Sequence, residues 1–239
     1  MLPTASWMHF LGMAASQDGA GGDWIKSGLM LRWLSNPSMQ QVGDADRSPV
    51  ILLCFEPTYK LLERLQHLVD SANWEFILQD PYILVDIVIS TWYERLDESA
   101  WEITSRVSTI EKVSFPSLPH FRLTYCGVRS LIITQLAFND TKALNTKLTG
   151  ASALDLYDAH LISKNAIHML EGLNAALRSV DAVIAHHHEA FSNGLPIWRV
   201  THDSLRHHKE LFHSTHLRIS SIQKRLANVI QLVMSLPSR

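Results

Sequence analysis

From Leu205 to the end of the chain an apolar residue returns at every seventh position: Leu205, Phe212, Ile219, Leu226 and Val233. Ile222 and Val229 follow Ile219 and Leu226 by three. An apolar repeat of this period is the a/d seam by which helices associate lengthwise. The helix that carries it, Trp198 to Met234, would hold about 36 residues and, at ~1.5 Å per residue, run ~54 Å. A helix of that length does not sit on one small globule without projecting or pairing, so the rest of the chain must be arranged around it. The seam is uneven. His208 and Thr215 occupy its earlier intermediate positions, and only the last two heptads are wholly apolar.

At 239 residues, 46% of them hydrophobic and 18% charged, the chain has enough apolar material for a sizeable core, as one generous domain or two small ones. A formal net charge of -2, without a basic face, argues against nucleic acid as a partner. Cys54 and Cys126 follow no metal or redox spacing and read as reduced core thiols of an intracellular protein. The opening "WMHFLGMAAS" lacks the positive n-region of a signal peptide. No window approaches the ~18 apolar residues of a spanning helix. The expectation is a soluble, cytoplasmic chain with no membrane span.

Residues 1–47 carry six of the ten glycines together with Pro3, Pro37 and the polar run "QQVGDADRS". Met1–Gly22 reads as mobile, and this partly disordered segment offers a single strand, "LMLRWLS". "PVILLCFEP" gives a second short β-prone run at Val50–Phe55 that pairs with the first. After Pro57 the period becomes helical, with Leu61, Leu62, Leu65, Leu68 and Val69 on one face. A short helical piece around Trp74–Leu78 follows. Asp80 as N-cap and Pro81 at the first helical position then open a long helix that must end before Pro116. Residues 114–150 keep no sustained period and read as an irregular insertion. Helical spacing returns near Ala153 and continues through Leu170, Leu173, Leu177, Val180 and Ile184 to about Phe191. "SNGLP" stops it, and the seam-bearing helix runs back as its antiparallel neighbour. The fold class expected is mainly α: long antiparallel heptad-bearing helices, stalk-like, with a small N-terminal β element. The helical domain covers 48–236.

Three stretches carry a resemblance. "NWEFILQDPYILVDIVISTWYERLDESAWEITSRVSTIEK" resembles the acidic, tryptophan-bearing helix of fungal CorA-like proteins, relatives of the CorA magnesium transporters. "YDAHLISKNAIHMLEGLNAALRSVDAVIAHH" is similar to the helix that follows it there, and "LRHHKELFHSTHLRISSIQKRLANVIQLV" to the stalk helix that enters the pore. The resemblance implies a cytoplasmic domain with a long stalk, assembled as a ring of subunits around an axial ion path. In the family a Gly-Met-Asn signature ends the first of two transmembrane helices. It does not occur in this sequence, and the last residues, "MSLPSR", stand where that first helix would begin. What carries over is the cytoplasmic and stalk portion, unable to transport by itself. Its expected partners are further copies of the chain or full-length CorA-like subunits. A soluble helical interaction module, using an exposed C-terminal seam, is the alternative.

Magnesium takes oxygen ligands and keeps several waters, so weak carboxylate sites between subunits would suit a sensor. Glu94, Glu98 and Glu102 stand one helical turn apart, with Asp97 beside them, and are the carboxylate candidates. The competing reading is a solvated helix face. Among the thirteen histidines, His213 and His216 are spaced to chelate together. The consecutive His186, His187 and His188 diverge by about 100° each and cannot converge on one ion while the helix continues. They read as surface or helix-end residues. Trp92 and Trp101 read as core. No phosphate-cradling glycine loop, Gly-x-Ser-x-Gly or His-Glu-x-x-His is present, and nothing places a nucleophile beside a base. The expectation is therefore no enzyme activity and no firm cofactor, with magnesium as the one candidate.

Overall fold

The computed structural model describes residues 4–15, 22–33, 50–71, 74–114, 148–190 and 196–235. Three strands come first: β1 (Thr4–Ala15), β2 (Gly22–Trp33) and β3 (Ile51–Phe55). Among the described residues five helices follow: α1 (Tyr59–Asp70), α2 (Trp74–Gln79), α3 (Tyr82–Ser114), α4 (Leu148–Ala190) and α5 (Pro196–Ser235). The architecture is mainly α with one small antiparallel sheet, as the periodicities predict. The irregular stretch expected at 114–150 falls almost wholly outside the described residues, as does Cys126.

The sheet has the order β1-β2-β3, each neighbour antiparallel. Its register decides its two faces. Met8, Leu29 and Cys54 form one cross-strand row, and Met8 and Leu29 are buried along with Leu31 and Trp33. This side lies on the helices, with β1 against α4 and α3. The alternate row, Trp7, Met30 and Leu53, points the other way, and Trp7, Ile51, Leu53 and Phe55 stay exposed. Met1–Gly22 was expected to be mobile, yet Thr4–Ala15 is a strand paired to β2 along twelve residues. Its glycine and three alanines give little local β propensity. What makes it a strand is the partner strand and the burial of Met8, which is context rather than intrinsic preference.

At Glu56 the backbone turns through a left-handed conformation, φ 52°, and redirects the chain from β3 into α1. Thr58 caps α1, its hydroxyl accepting from the Leu61 N–H at 3.2 Å. The expected cap of the next long helix is also present: Asp80 Oδ1 accepts from the Tyr82 N–H at 3.0 Å. α5 holds 40 residues, so at ~1.5 Å per residue it spans ~60 Å. It packs on both α4 and α3. Lys209 pairs with Asp181, and His202 with His187, so α4 and α5 run antiparallel. By contrast, bonds from α3 to α5 advance together along both helices: Asp86 to Ser204 and His208, Asp97 to Thr215 and Arg218, Glu111 to Arg225. α3 and α5 are therefore parallel, with α4 returning between their ends.

Candidate functional site

The seam occupies the centre of this three-helix body. Leu205, Phe212, Ile219 and Leu226 are completely buried, and Ile222 and Val229 nearly so. Phe212 meets the Tyr93 ring of α3 edge-on, with centroids 5.3 Å apart. The side chain of Val233 lies outside the described residues. The expectation of an exposed seam free for partner helices is thus overturned for the residues from Leu205 to Val229. Each a/d residue needs a surface to cover it, and α3 and α4 of the same chain supply that surface.

The two polar seam positions have a purpose that apolar periodicity did not reveal. His208 Nδ1 meets Asp86 Oδ1 at 2.9 Å, while Ser204 donates to Asp86 Oδ2 at 2.8 Å. One heptad later, Thr215 donates to Asp97 Oδ1 at 2.9 Å, and Arg218 pairs with the same oxygen. Asp86 is the charge that interrupts the apolar run Tyr82–Ile89, and it sits there to receive α5. Trp101, expected in the core, is 56% exposed. Its indole N–H donates to Asp97, and the Arg218 guanidinium lies 4.3 Å above its ring. Trp92 is buried, as expected.

The metal candidates are not brought together. Lys60 and Arg64 of α1 each take one oxygen of Glu94. Burial pushes the Glu94 carboxyl up, but these two cations outweigh it and hold the group below the usual range. Arg64 also donates to Ser90 and Thr91, so Glu94 belongs to the joint that fastens α1 to α3. Glu98 and Glu102 are exposed, and Glu102 pairs with Arg106 one turn on. His213 and His216 stack in parallel with ring centroids 6.5 Å apart; His213 is exposed and His216 half-buried. Among the described residues no group of three or more His, Cys, Asp or Glu side chains is placed to hold a metal ion. Glu94 and Glu102 are already paired with lysine or arginine, which leaves their oxygens less suited to a magnesium ion.

The densest polar cluster lies elsewhere, where α4 and α5 meet the α2–α3 junction. Asp80 and His187 are both completely buried. A carboxylate only accepts, so His187 Nε2–H donates to Asp80 Oδ2, at 3.0 Å. On the opposite side of the ring, His187 Nδ1 meets His202 Nδ1 at 3.3 Å. Trp198 stacks on both imidazoles, 5.7 Å from His187 and 5.5 Å from His202. His186 pairs with the Tyr82 hydroxyl, and Trp33 of β2 packs edge-on against Tyr82. His188 completes the group beside Trp198 and His202. Burial and the neighbouring His187, His188 and Arg206 hold His202 below the ordinary imidazole value, against an opposing pull from Asp203.

The reading of His186, His187 and His188 as surface or helix-end residues holds for His188, which is exposed in the last turn of α4, but not for His187, which is completely buried, or for His186, which is half-buried. His187 turns inward because its helix position follows the buried Val180 and Val183, and it brings a polar ring to the carboxylate of the α3 N-cap. The sequence signal was the Asp80-Pro81 start opposite a histidine run near the end of α4. Pairing the two requires knowing that these ends meet.

Neither family models, curated proteins nor solved structures give a match to this chain. Among the described residues no helix is long and apolar enough to cross a membrane.

Proposed function

We propose that this chain is the cytoplasmic and stalk portion of a CorA-like divalent-cation transporter, serving in assembly or regulation. The observation that carries the reading is α5: one helix of 40 residues, following an antiparallel α4 and braced by a parallel α3. That order agrees with the three stretches that resemble the family. Bracing by two helices is what a stalk needs to transmit force without bending. The reading is non-enzymatic and cytoplasmic. Its partners are copies of the chain or full-length subunits, which would meet surfaces other than the buried seam. Exposed Val200, Leu217 and Met234 lie along α5 outside it. Among the described residues no carboxylate group gathers to hold an ion, so the reading assigns any effect of magnesium to contacts between chains.

The test is the molar mass of the purified chain by light scattering, with and without millimolar magnesium. A ring-sized species, or one whose mass depends on magnesium, supports the reading. A monomer indifferent to magnesium, which also fails to co-purify with full-length CorA-like subunits, refutes it.

A further inference from the structure

We infer that the junction of α4, α5 and the α3 N-terminus is an acid-sensitive latch, closed by the Asp80–His187–His202 chain near neutral pH and opened when its imidazoles take up protons. The inference rests on geometry at this junction and does not depend on the transporter reading.

The bond between two Nδ1 atoms has room for one proton. With His187 Nε2–H committed to Asp80, a neutral His187 offers a bare Nδ1, and His202 Nδ1–H donates into it. The chain then runs from carboxylate to imidazole to imidazole with each donor facing an acceptor. A proton on the far nitrogen of His202 leaves this pattern intact but places a cation beside a half-buried aromatic stack. A proton on His187 as well sets N–H against N–H across 3.3 Å, and the bridge between α4 and α5 is lost. Asp80 offsets a charge on His187, but around His202 the cationic neighbours outweigh the carboxylate of Asp203. α4 contributes His186 and His188, and α5 contributes Arg206 against one Asp203. The α2–α3 junction contributes Asp80, already engaged, and the Tyr82 hydroxyl, while β2 contributes only Trp33.

The latch joins structure to dynamics because Asp80 has two tasks. Its Oδ1 caps α3 and its Oδ2 holds α4. Losing the second frees the α4–α5 ends without unwinding α3. The body of α5 below Phe212, held by Asp97 and by the apolar seam, contains none of these groups.

Hydrogen exchange of the full chain, compared at about pH 7.5 and about pH 5 after correction for intrinsic rates, reads this directly. Amides of residues 184–190 and 198–204 are expected to lose about tenfold or more of their protection in acid, with residues 215–226 unchanged. In the variant His202→Gln the amide donates to His187 Nδ1 but does not titrate. Its ends should stay protected at both pH values. Protection that survives acid in the unmodified chain overturns the latch. So does loss in residues 215–226 to the same extent, which would be global unfolding, and so does an undiminished acid response in His202→Gln.

Discussion

Whether the heptad seam closes the chain on itself or joins separate chains is decided by truncating it. Ile222 is 2% exposed and Leu226 fully buried, and both belong to the central apolar cluster. Replacing either by alanine removes three buried carbons, at ~0.8 kcal/mol each by transfer alone, or about 2.4 kcal/mol. The cavity left between α3, α4 and α5 adds to this, giving ~3 kcal/mol within the usual range of ~2–5. For a domain of this size such a loss lowers Tm by ~6–12 °C. Ile222 and Leu226 are one turn apart, so the double variant should fall short of the sum. The assay is urea unfolding of Ile222→Ala and Leu226→Ala, followed by circular dichroism over a wide range of chain concentration. With an intramolecular seam the midpoint drops by the same amount at every concentration. Loss below ~1 kcal/mol, or a midpoint that rises with concentration in the unmodified chain and not in the variants, would refute the intramolecular packing.

Two further perturbations test the polar contacts. Asp86→Ala strands the Ser204 hydroxyl and the His208 N–H in the α3–α5 interface, and should cost ~2–4 kcal/mol. A double-mutant cycle with His208→Ala should give a coupling of ~1 kcal/mol or more, and a coupling near zero removes the pair from the account. Arg64→Ala should loosen α1, seen as faster exchange in residues 61–70 with α3 unchanged. Because the folded Glu94 carboxyl is held below its unfolded value, its contribution is present above that unfolded value and is lost as pH falls through the depressed one. Acid should therefore release α1 in the unmodified chain, and Arg64→Ala should show a weaker pH dependence; an equal one would exclude Glu94 as the cause.

The helices were legible because their signals are local. Asp80-Pro81 stands where α3 begins, "SNGLP" separates α4 from α5, and the spacing of Leu170, Leu173, Leu177 and Val180 follows α4. β1 was missed because its strand character comes from β2. The destination of the seam was misread for a related reason. An a/d stripe specifies that something covers it, and is silent on whether the cover is another chain or the helix ~120 residues upstream. The polar contacts were the least legible. Asp86 and His208 each look out of place alone, one a charge in an apolar run, the other a polar seam position, and only the parallel course of α3 and α5 makes them partners.

That pairing settles a question the apolar seam leaves open. Slide α5 by one heptad toward its start, and each apolar a position still lands on an apolar one: Phe212 takes the place of Leu205, and Ile219 that of Phe212. Packing changes, but burial is largely conserved. The carboxylates do not tolerate the slip. Asp86 would face Leu211 and Thr215 in place of Ser204 and His208, and Asp97 would meet Ile222 and Arg225 in place of Thr215 and Arg218. In the opposite slip Asp86 would face Ile197 and Thr201, and Asp97 would face His208 and Leu211. Each half-buried carboxylate that loses a donor costs on the order of 2 kcal/mol. The polar upper seam thus gives up some stability to fix one register, as single polar a/d positions do in coiled coils. The apolar lower seam then supplies the adhesion. A 40-residue helix held in one register along its neighbours uses both halves, and they stand in that order along α5.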